Sequence, residues 1–240
     1  MLGVSTYCLH GLPLDSALEQ LSGITGMVEV MDEGYHYLAD TSVLENYSLR
    51  YSIHAPYHGI NIASVFETIR RASIAVTLEC FSVAAEIGAN VVLHPGYYAW
   101  EQEKRSARRQ FTTSLGELSN AADDLSLTFY FENMGGMDYF FLRTPDELDL
   151  IGDAGFALDV GHANLNNCLP AFLETAIDHM HIHDNYGRND SHSPVGDGDI
   201  DFTAVMKVLQ RNHVTPVLEV ATFKGVVRSI DALLQIPSTP

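Results

Sequence analysis

The chain is poor in charge, and poorest in positive charge: 18% of its 240 residues are charged, and 13 lysines and arginines face 31 aspartates and glutamates, a formal net charge of −18. Such an imbalance repels a long polyanion at distance and argues against duplex nucleic acid, whose binding depends on neutralising several phosphates. Cysteine is also scarce. Cys8, Cys80 and Cys168 are widely spaced, odd in number and without a C-x-x-C pair, which excludes a disulfide framework and fits reduced, structural thiols. No apolar run approaches the roughly 18 uninterrupted residues that a membrane-spanning helix requires. Met1-Leu2-Gly3-Val4-Ser5 has no basic segment ahead of an apolar stretch, so no targeting signal is read there and a cytoplasmic location is expected. Disorder is excluded too, because 46% of the residues are hydrophobic, enough for a sizeable core.

What is present is an alternation. Strand-like runs at 1–6, 27–31, 49–54, 90–96, 127–132, 156–159, 179–183 and 216–219 are separated by helix-like stretches at 13–21, 36–47, 62–87, 104–124, 165–177, 201–211 and 226–234. The stretch 62–87 carries Val65, Phe66, Ile69, Ala72, Val76 and Phe81 near a 3.6 period, and Gly88 ends it. A further short helix opens at Thr144-Pro145, with threonine as its cap. Eight strands alternating with eight helices predict a parallel sheet with crossover helices. At 240 residues, close to the roughly 250 typical of the fold, the expectation is one domain over 1–240, a closed (β/α)8 TIM barrel.

The chemistry lies at the ends of these runs. His54, His94, Glu132, Asp159, His162, His181, Asp190, His192 and Glu219 follow the third to eighth strands. In a barrel, those carboxyl ends converge on one mouth, where the active site sits. An open doubly wound sheet would instead cluster its ligand groups at a reversal of strand order. Any one histidine at a strand end is unremarkable, whereas carboxylates ending apolar strands are costly unless paired or ligated. Mixed nitrogen and oxygen donors suit zinc first, with manganese or cobalt as alternatives, and exclude calcium. His179 lies deeper on the same strand face and is read as a hydrogen-bonded core histidine; His10, His36, His58 and His213 are read as loop or surface residues. Glu29, at the tip of the second strand, is either a substrate contact or a buried hydrogen-bonded carboxylate.

From about Ile53 to Val220 the chain resembles the xylose isomerase-like TIM-barrel superfamily, which gathers endonuclease IV with many sugar isomerases and epimerases. The segments that carry the likeness are His54-Ala55-Pro56, His94-Pro95-Gly96, Phe131-Glu132-Asn133, Leu158-Asp159-Val160-Gly161-His162, Met180-His181-Ile182-His183-Asp184 and Asp190-Ser191-His192-Ser193-Pro194-Val195-Gly196-Asp197-Gly198, closed by Glu219. The resemblance implies a central metal on Glu132, Asp159, His181 and Glu219. It implies a second on His54 and His94 with Glu132 bridging, and a third on His162, Asp190 and His192, so one to three ions per chain.

Two chemistries remain open at this point. Isomerisation or epimerisation of a small carbohydrate-like substrate needs only the central four, with Glu132 and Glu219 as the catalytic carboxylates that move a carbon-bound proton. Phosphodiester hydrolysis of the endonuclease IV kind would use all nine. His162, His183, Arg188 and Trp100 are the expected substrate contacts, and Tyr7, Tyr97, Tyr98, Tyr139, Phe140 and Phe141 are candidates for a wall around a sugar. Lys104, Arg105, Arg108, Arg109, Arg143 and Lys224 are candidate phosphate contacts. The chain departs from endonuclease IV where His183 stands for an asparagine, and the small substrate is favoured on that departure and on net charge. A metal-stabilised binding protein without chemistry is a third class.

Overall fold

The computed structural model describes residues 2–236. Its strands are β1 (Gly3–Ser5), β2 (Met27–Met31), β3 (Arg50–His54), β4 (Asn90–Leu93), β5 (Phe129–Glu132), β6 (Gly155–Asp159), β7 (His179–Ile182) and β8 (Pro216–Leu218). All pair in parallel and in chain order, and β8 pairs with β1 to close the barrel. Seven α-helices surround it among the described residues: α1 (Leu14–Ser22), α2 (Glu67–Glu86), α3 (Lys104–Leu125), α4 (Val160–Leu165), α5 (Leu169–Phe172), α6 (Phe202–Asn212) and α7 (Phe223–Gln235).

Strand alternation sorts residues into two environments. Outward positions pack beneath the helices: Phe131 meets Phe111 at 5.1 Å and Phe129 at 5.6 Å, and Phe129 meets Phe81 at 5.3 Å. Each such ring contributes about 1.5–3 kcal/mol by leaving water. Several inward positions are small or polar. Two residues below the mouth along their strands, Ser52, Tyr130, Ala157 and His179 occupy places that bulky aliphatics fill in most barrels. Cys8 and Cys80 are free and buried; burial pushes the Cys8 thiol up to about 12 and the Cys80 thiol well above its ordinary value, consistent with inert packing roles.

Several local expectations need correction. The expected helix over 36–47 is absent: there are only single 3-10 turns at Gly34–His36 and Leu44–Asn46. Side chains compete for the backbone here, with Asp32 accepting from Leu38 N at 2.6 Å and Asp40 from Ser42 N at 2.9 Å. His36 is no surface residue. It is buried, with Nδ1 2.9 Å from Thr6 Oγ1 and Nε2 3.0 Å from the Leu12 carbonyl.

The helix expected from residue 62 starts at Glu67, because Asn61 uses its side chain to bind Ala63 N, Tyr97 N and Tyr97 O and holds the preceding segment as a loop. Its apolar stripe is right at Phe81 but misassigned toward the amino end. Phe66, Ile69 and Ala72 face solvent, while Arg70, Ser73, Ile74, Thr77, Phe81 and Ala84 pack inward. Arg70 reaches Glu67 at 2.8 Å, Glu117 at 2.9 Å and Ser114 at 3.1 Å, which ties α2 to α3 through charge that an apolar periodicity does not register.

The segment 165–177 divides into the end of α4 and the single turn of α5, since Asn167 adopts φ +56° and Pro170 cannot sit inside one continuous helix. After Thr144 the chain forms a 3-10 helix, Pro145–Ile151, rather than an α-helix, and the threonine side chain does not cap it. Glu147 instead accepts from Arg143 N at 2.9 Å.

Candidate metal centre

The barrel brings all nine expected donors to its carboxyl-end mouth, in three groups, each with ligand atoms within 4.8 Å of one another and two of them sharing Glu132. Glu132, Asp159, His181 and Glu219 form the first; His54, His94 and Glu132 the second; His162, Asp190 and His192 belong to the third, which also contains His183. A fourth group, Glu29, His179 and His181, lies deeper in the barrel.

Local structure explains each placement. Asp159 ends β6 and caps α4: its Oδ1 accepts from His162 N at 2.6 Å and lies 3.0 Å from His183 Nε2. Its Oδ2 is left buried without a hydrogen bond, facing the centre. Asn133 keeps this corner fixed through Asp159 N at 2.7 Å and Asp159 O at 3.0 Å. Asp190 and His192 come not from a strand end but from a loop, and that loop is pinned by Asp184, which accepts from Asn185 N, Gly196 N and Gly198 N at 2.8–2.9 Å. A Cβ on Gly198 would stand 2.2 Å from Asp184 Oδ1, so the close approach requires glycine. Gly161 plays the same part for His183, where a Cβ would lie 1.9 Å from the ring.

The histidines are oriented by their outward nitrogens. Nδ1 of His54, His162 and His192 lies 3.0, 2.9 and 2.6 Å from the carbonyls of Ala55, Asn133 and Glu219. Carbonyls only accept, so these nitrogens carry the protons and Nε2 faces the carboxylates: Glu132 at 3.3 Å from His54, and Asp190 at 3.1 Å from His162 and 3.3 Å from His192. His94 Nε2 also approaches Glu132, at 3.1 Å. His181 is reversed, with Nδ1 3.1 Å from Glu132 and 3.5 Å from Glu219.

Charge is concentrated accordingly. Burial pushes Glu132 up, but the charge of His181 and contacts from His162, His181 and His54 outweigh it and hold the carboxyl well below its ordinary value. Glu219 stays raised, by burial and by the neighbouring Glu132. Burial lowers the imidazoles of His54 and His192, yet their carboxylate partners lift both to about 9. Three fully buried carboxylates within one 4.8 Å group repel strongly in a low-dielectric interior unless a cation lies among them. With Asp159 Oδ2 and Glu219 Oε1 unpartnered, the donor set fits a divalent ion.

Above the donors lies a cavity of about 680 Å³, within the range of small-molecule sites. Its wall includes His54, His94, Glu132, His162, Asp190, His192 and Glu219, with Tyr7, Tyr97 and Phe140, as the sequence suggested. Asp159 and His181 lie buried beneath it. Of the expected substrate contacts, His162 and Arg188 line the cavity, whereas His183 and Trp100 do not. His183 is fully buried behind Asp159 and stacks on His192 at 4.0 Å, because Gly161 opens space for its ring. Trp100 is 67% exposed at the head of α3, off the wall. Tyr98 and Phe141 are core residues, and Lys104, Arg105, Arg108, Arg109, Arg143 and Lys224 all lie off the cavity wall. Arg143 pairs with Asp138 at 3.0 Å.

Two contributors escaped the sequence reading. Tyr57 packs at a tilt against His94 at 4.6 Å and edges His54 at 5.4 Å, bracing both imidazoles. Its position three residues after His54 was the available signal. Glu33 accepts from Tyr57 N and His58 N and touches His58 Nδ1, which places His58 on the cavity wall instead of in an ordinary loop.

Residues 41–235 match the family model described as a xylose isomerase-like TIM barrel. The chain is 32% identical to an uncharacterized protein of Methanocaldococcus jannaschii, over 97% of this chain and 94% of that protein. It is 30% identical to a probable endonuclease 4 of Mycobacterium leprae, over 71% of this chain and 73% of that protein. Among solved structures, a D-tagatose 3-epimerase-like protein superposes with a TM-score of 0.89 at 25% identity, covering 98% and 96% of the two chains. The IolI protein with a bound zinc atom shares the fold, with a TM-score of 0.79 at 17% identity over 99% of each chain. With a closed eight-stranded barrel and a family match that spans most of its length, this chain belongs to the xylose isomerase-like TIM-barrel family, related to sugar epimerases and to endonuclease IV.

Proposed function

We propose that this protein is a divalent-metal-dependent isomerase or epimerase of a small carbohydrate-like substrate. The observation that carries this reading is the convergence of Glu132 and Glu219 with Asp159 and His181 in one group at the base of a cavity with Arg188 as its sole lysine or arginine among the described residues. Two carboxylates that meet at one site can divide acid and base roles on a substrate carbon between them. Glu132 would take a carbon-bound proton and Glu219 return one, or the reverse from the other face. A bound ion would supply polarisation of a carbonyl and its neighbouring hydroxyl, and zinc leads manganese and cobalt on the mixed donor set.

The wall suits such a substrate. Tyr97 and Phe140 meet edge to face at 5.9 Å and offer apolar faces to a sugar ring, while His162 and Arg188 supply polar contacts. His183 would act through Asp159 rather than by touching substrate. The cavity wall shows little provision for a polyanion, since duplex binding draws on several cationic contacts. Relatives named as epimerases and endonucleases favour an enzyme over a metal-stabilised binding protein.

One observation favours a second reading, an endonuclease IV-like multinuclear phosphodiesterase: the groups around His54 and His94 and around His162, Asp190 and His192 offer donors that a one-ion isomerase does not need. The two separate on a paired assay. The purified protein, reconstituted with zinc or manganese, is expected to exchange a carbon-bound substrate proton with deuterated water and to leave an abasic duplex intact at physiological salt. Abasic cleavage without exchange reverses the assignment. Elemental analysis sharpens it further, as a limit of one ion per chain removes the multinuclear reading.

A further inference from the structure

Among the nine donors, His181 is an imidazole whose outward nitrogen faces a side-chain carboxylate and not a backbone carbonyl. Its Nε2 lies 2.7 Å from Oε1 of Glu29, a fully buried residue on the inner face of β2. His54, His162 and His192 rest on backbone carbonyls, which no substitution removes. Glu29 is itself fixed on its other oxygen: Ser52 Oγ donates to Oε2 at 2.8 Å, and His179 Nε2 approaches the same oxygen at 2.9 Å. Strand register accounts for the set. Glu29 pairs with Ser52 across β2 and β3, and His179 and His181 are two residues apart on β7, so all four side chains point into the barrel.

A carboxylate in the dry interior is costly unless its neighbours donate to it. Those available here are two imidazoles and a hydroxyl, and His181 can satisfy Oε1 only with a proton on Nε2. Its Nδ1 is then the nitrogen left to give up its proton to an incoming ion, and it is aimed at Glu132 and Glu219. Left to itself, a neutral imidazole exchanges its proton between the two nitrogens, and with the proton on Nδ1 it would present a donor, not a ligand, to a cation.

We infer that Glu29 is a positioning residue that holds His181 in the Nε2-protonated tautomer, so that Nδ1 is presented to a divalent ion. His179 and Ser52 hold Glu29 from below and beside. The Nε2 and Oε1 atoms are within hydrogen-bond distance but off the linear geometry, so the contact acts by charge and proximity. The inference rests on the reading that the central group takes a metal, and is indifferent to which reaction that metal serves. Carboxylate partners of this kind are worth about 10- to 100-fold in metal affinity where they have been removed.

The test compares wild type with Glu29→Gln, measured by chelator competition with zinc and by the visible spectrum after cobalt loading. Glu29→Gln is expected to weaken the tightest ion by about 10- to 100-fold and to shift the cobalt spectrum, with the fold retained by circular dichroism. His179→Gln, which leaves the Glu29–His181 contact in place, is expected to stay within a few-fold of wild type. A folded Glu29→Gln with unchanged affinity and spectrum overturns the assignment and leaves Glu29 as a structural carboxylate. Should Glu29→Gln fail to fold, nitrogen-15 histidine spectra of the zinc-loaded wild type decide: metal-bound Nδ1 with protonated Nε2 on His181 supports the inference, and the opposite tautomer refutes it. A wild-type chain that binds no divalent ion sinks the metal reading and this one together, whereas every other negative result sinks this one alone.

Discussion

The two faces of the barrel strands obey different rules. Along β5, Phe129 and Phe131 point outward into a shell of aromatic rings, while Tyr130 and Glu132 point inward. Along β7, Met180 and Ile182 face the shell, and His179 and His181 face the axis. The shell holds apolar surface away from water and is indifferent to pH. The interior holds buried carboxylates and imidazoles whose charges balance only in company. Stability is therefore concentrated in the shell and chemistry inside it, and mutations should separate the two.

The sharpest break is expected from inside. Glu219→Gln should lower turnover by about 10²- to 10⁴-fold, the share of a general acid or base, and reduce metal content. The unfolding temperature of the chelator-treated variant should not fall, since a repelled carboxyl has been removed. A large loss of stability with activity intact would invert the comparison. The opposite pattern is expected from Phe131→Ala, which empties a fully buried shell position and should cost about 3–5 kcal/mol in denaturant unfolding, with metal affinity of the folded fraction unchanged.

pH gives an intermediate effect. His54 and His192 rise from 6.5 to about 9 on folding in the absence of metal, so their stabilisation is fully present below pH 6.5 and lost as pH climbs through 9. Calorimetry of chelator-treated protein should show that decline, and metal-loaded protein should not, because the ion replaces the protons. Equal pH dependence with and without metal would mean that the ion sits elsewhere. The smallest change is expected from Trp100→Ala: within about 0.5 kcal/mol in stability and no change in KM, since the ring is exposed and off the cavity wall. A raised KM would return Trp100 to the substrate contacts.

The strands were legible because buried parallel strands announce themselves as short apolar runs, and their terminal polar residues stand out against that background. His54, Glu132, Asp159 and Glu219 were found in this way. The helices were less legible where polar side chains decided their packing: Arg70 turned α2 so that Phe66 and Ile69 face solvent, and Asp32 and Asp40 diverted 36–47 into turns. His183 was misread because its burial depends on a neighbour, Gly161, that lies on another element.

Residue order alone determined the eight-stranded barrel, the mouth at which the nine donors meet and the family to which the chain belongs, since each follows from periodicities and motifs local in sequence. Which nitrogen each histidine turns toward the centre, that Glu29 stands behind His181, and that Tyr57 and not Trp100 borders the cavity were decided only in three dimensions. Orientation is set by partners brought together from distant strands, and no spacing along a chain records which of two faces a ring presents.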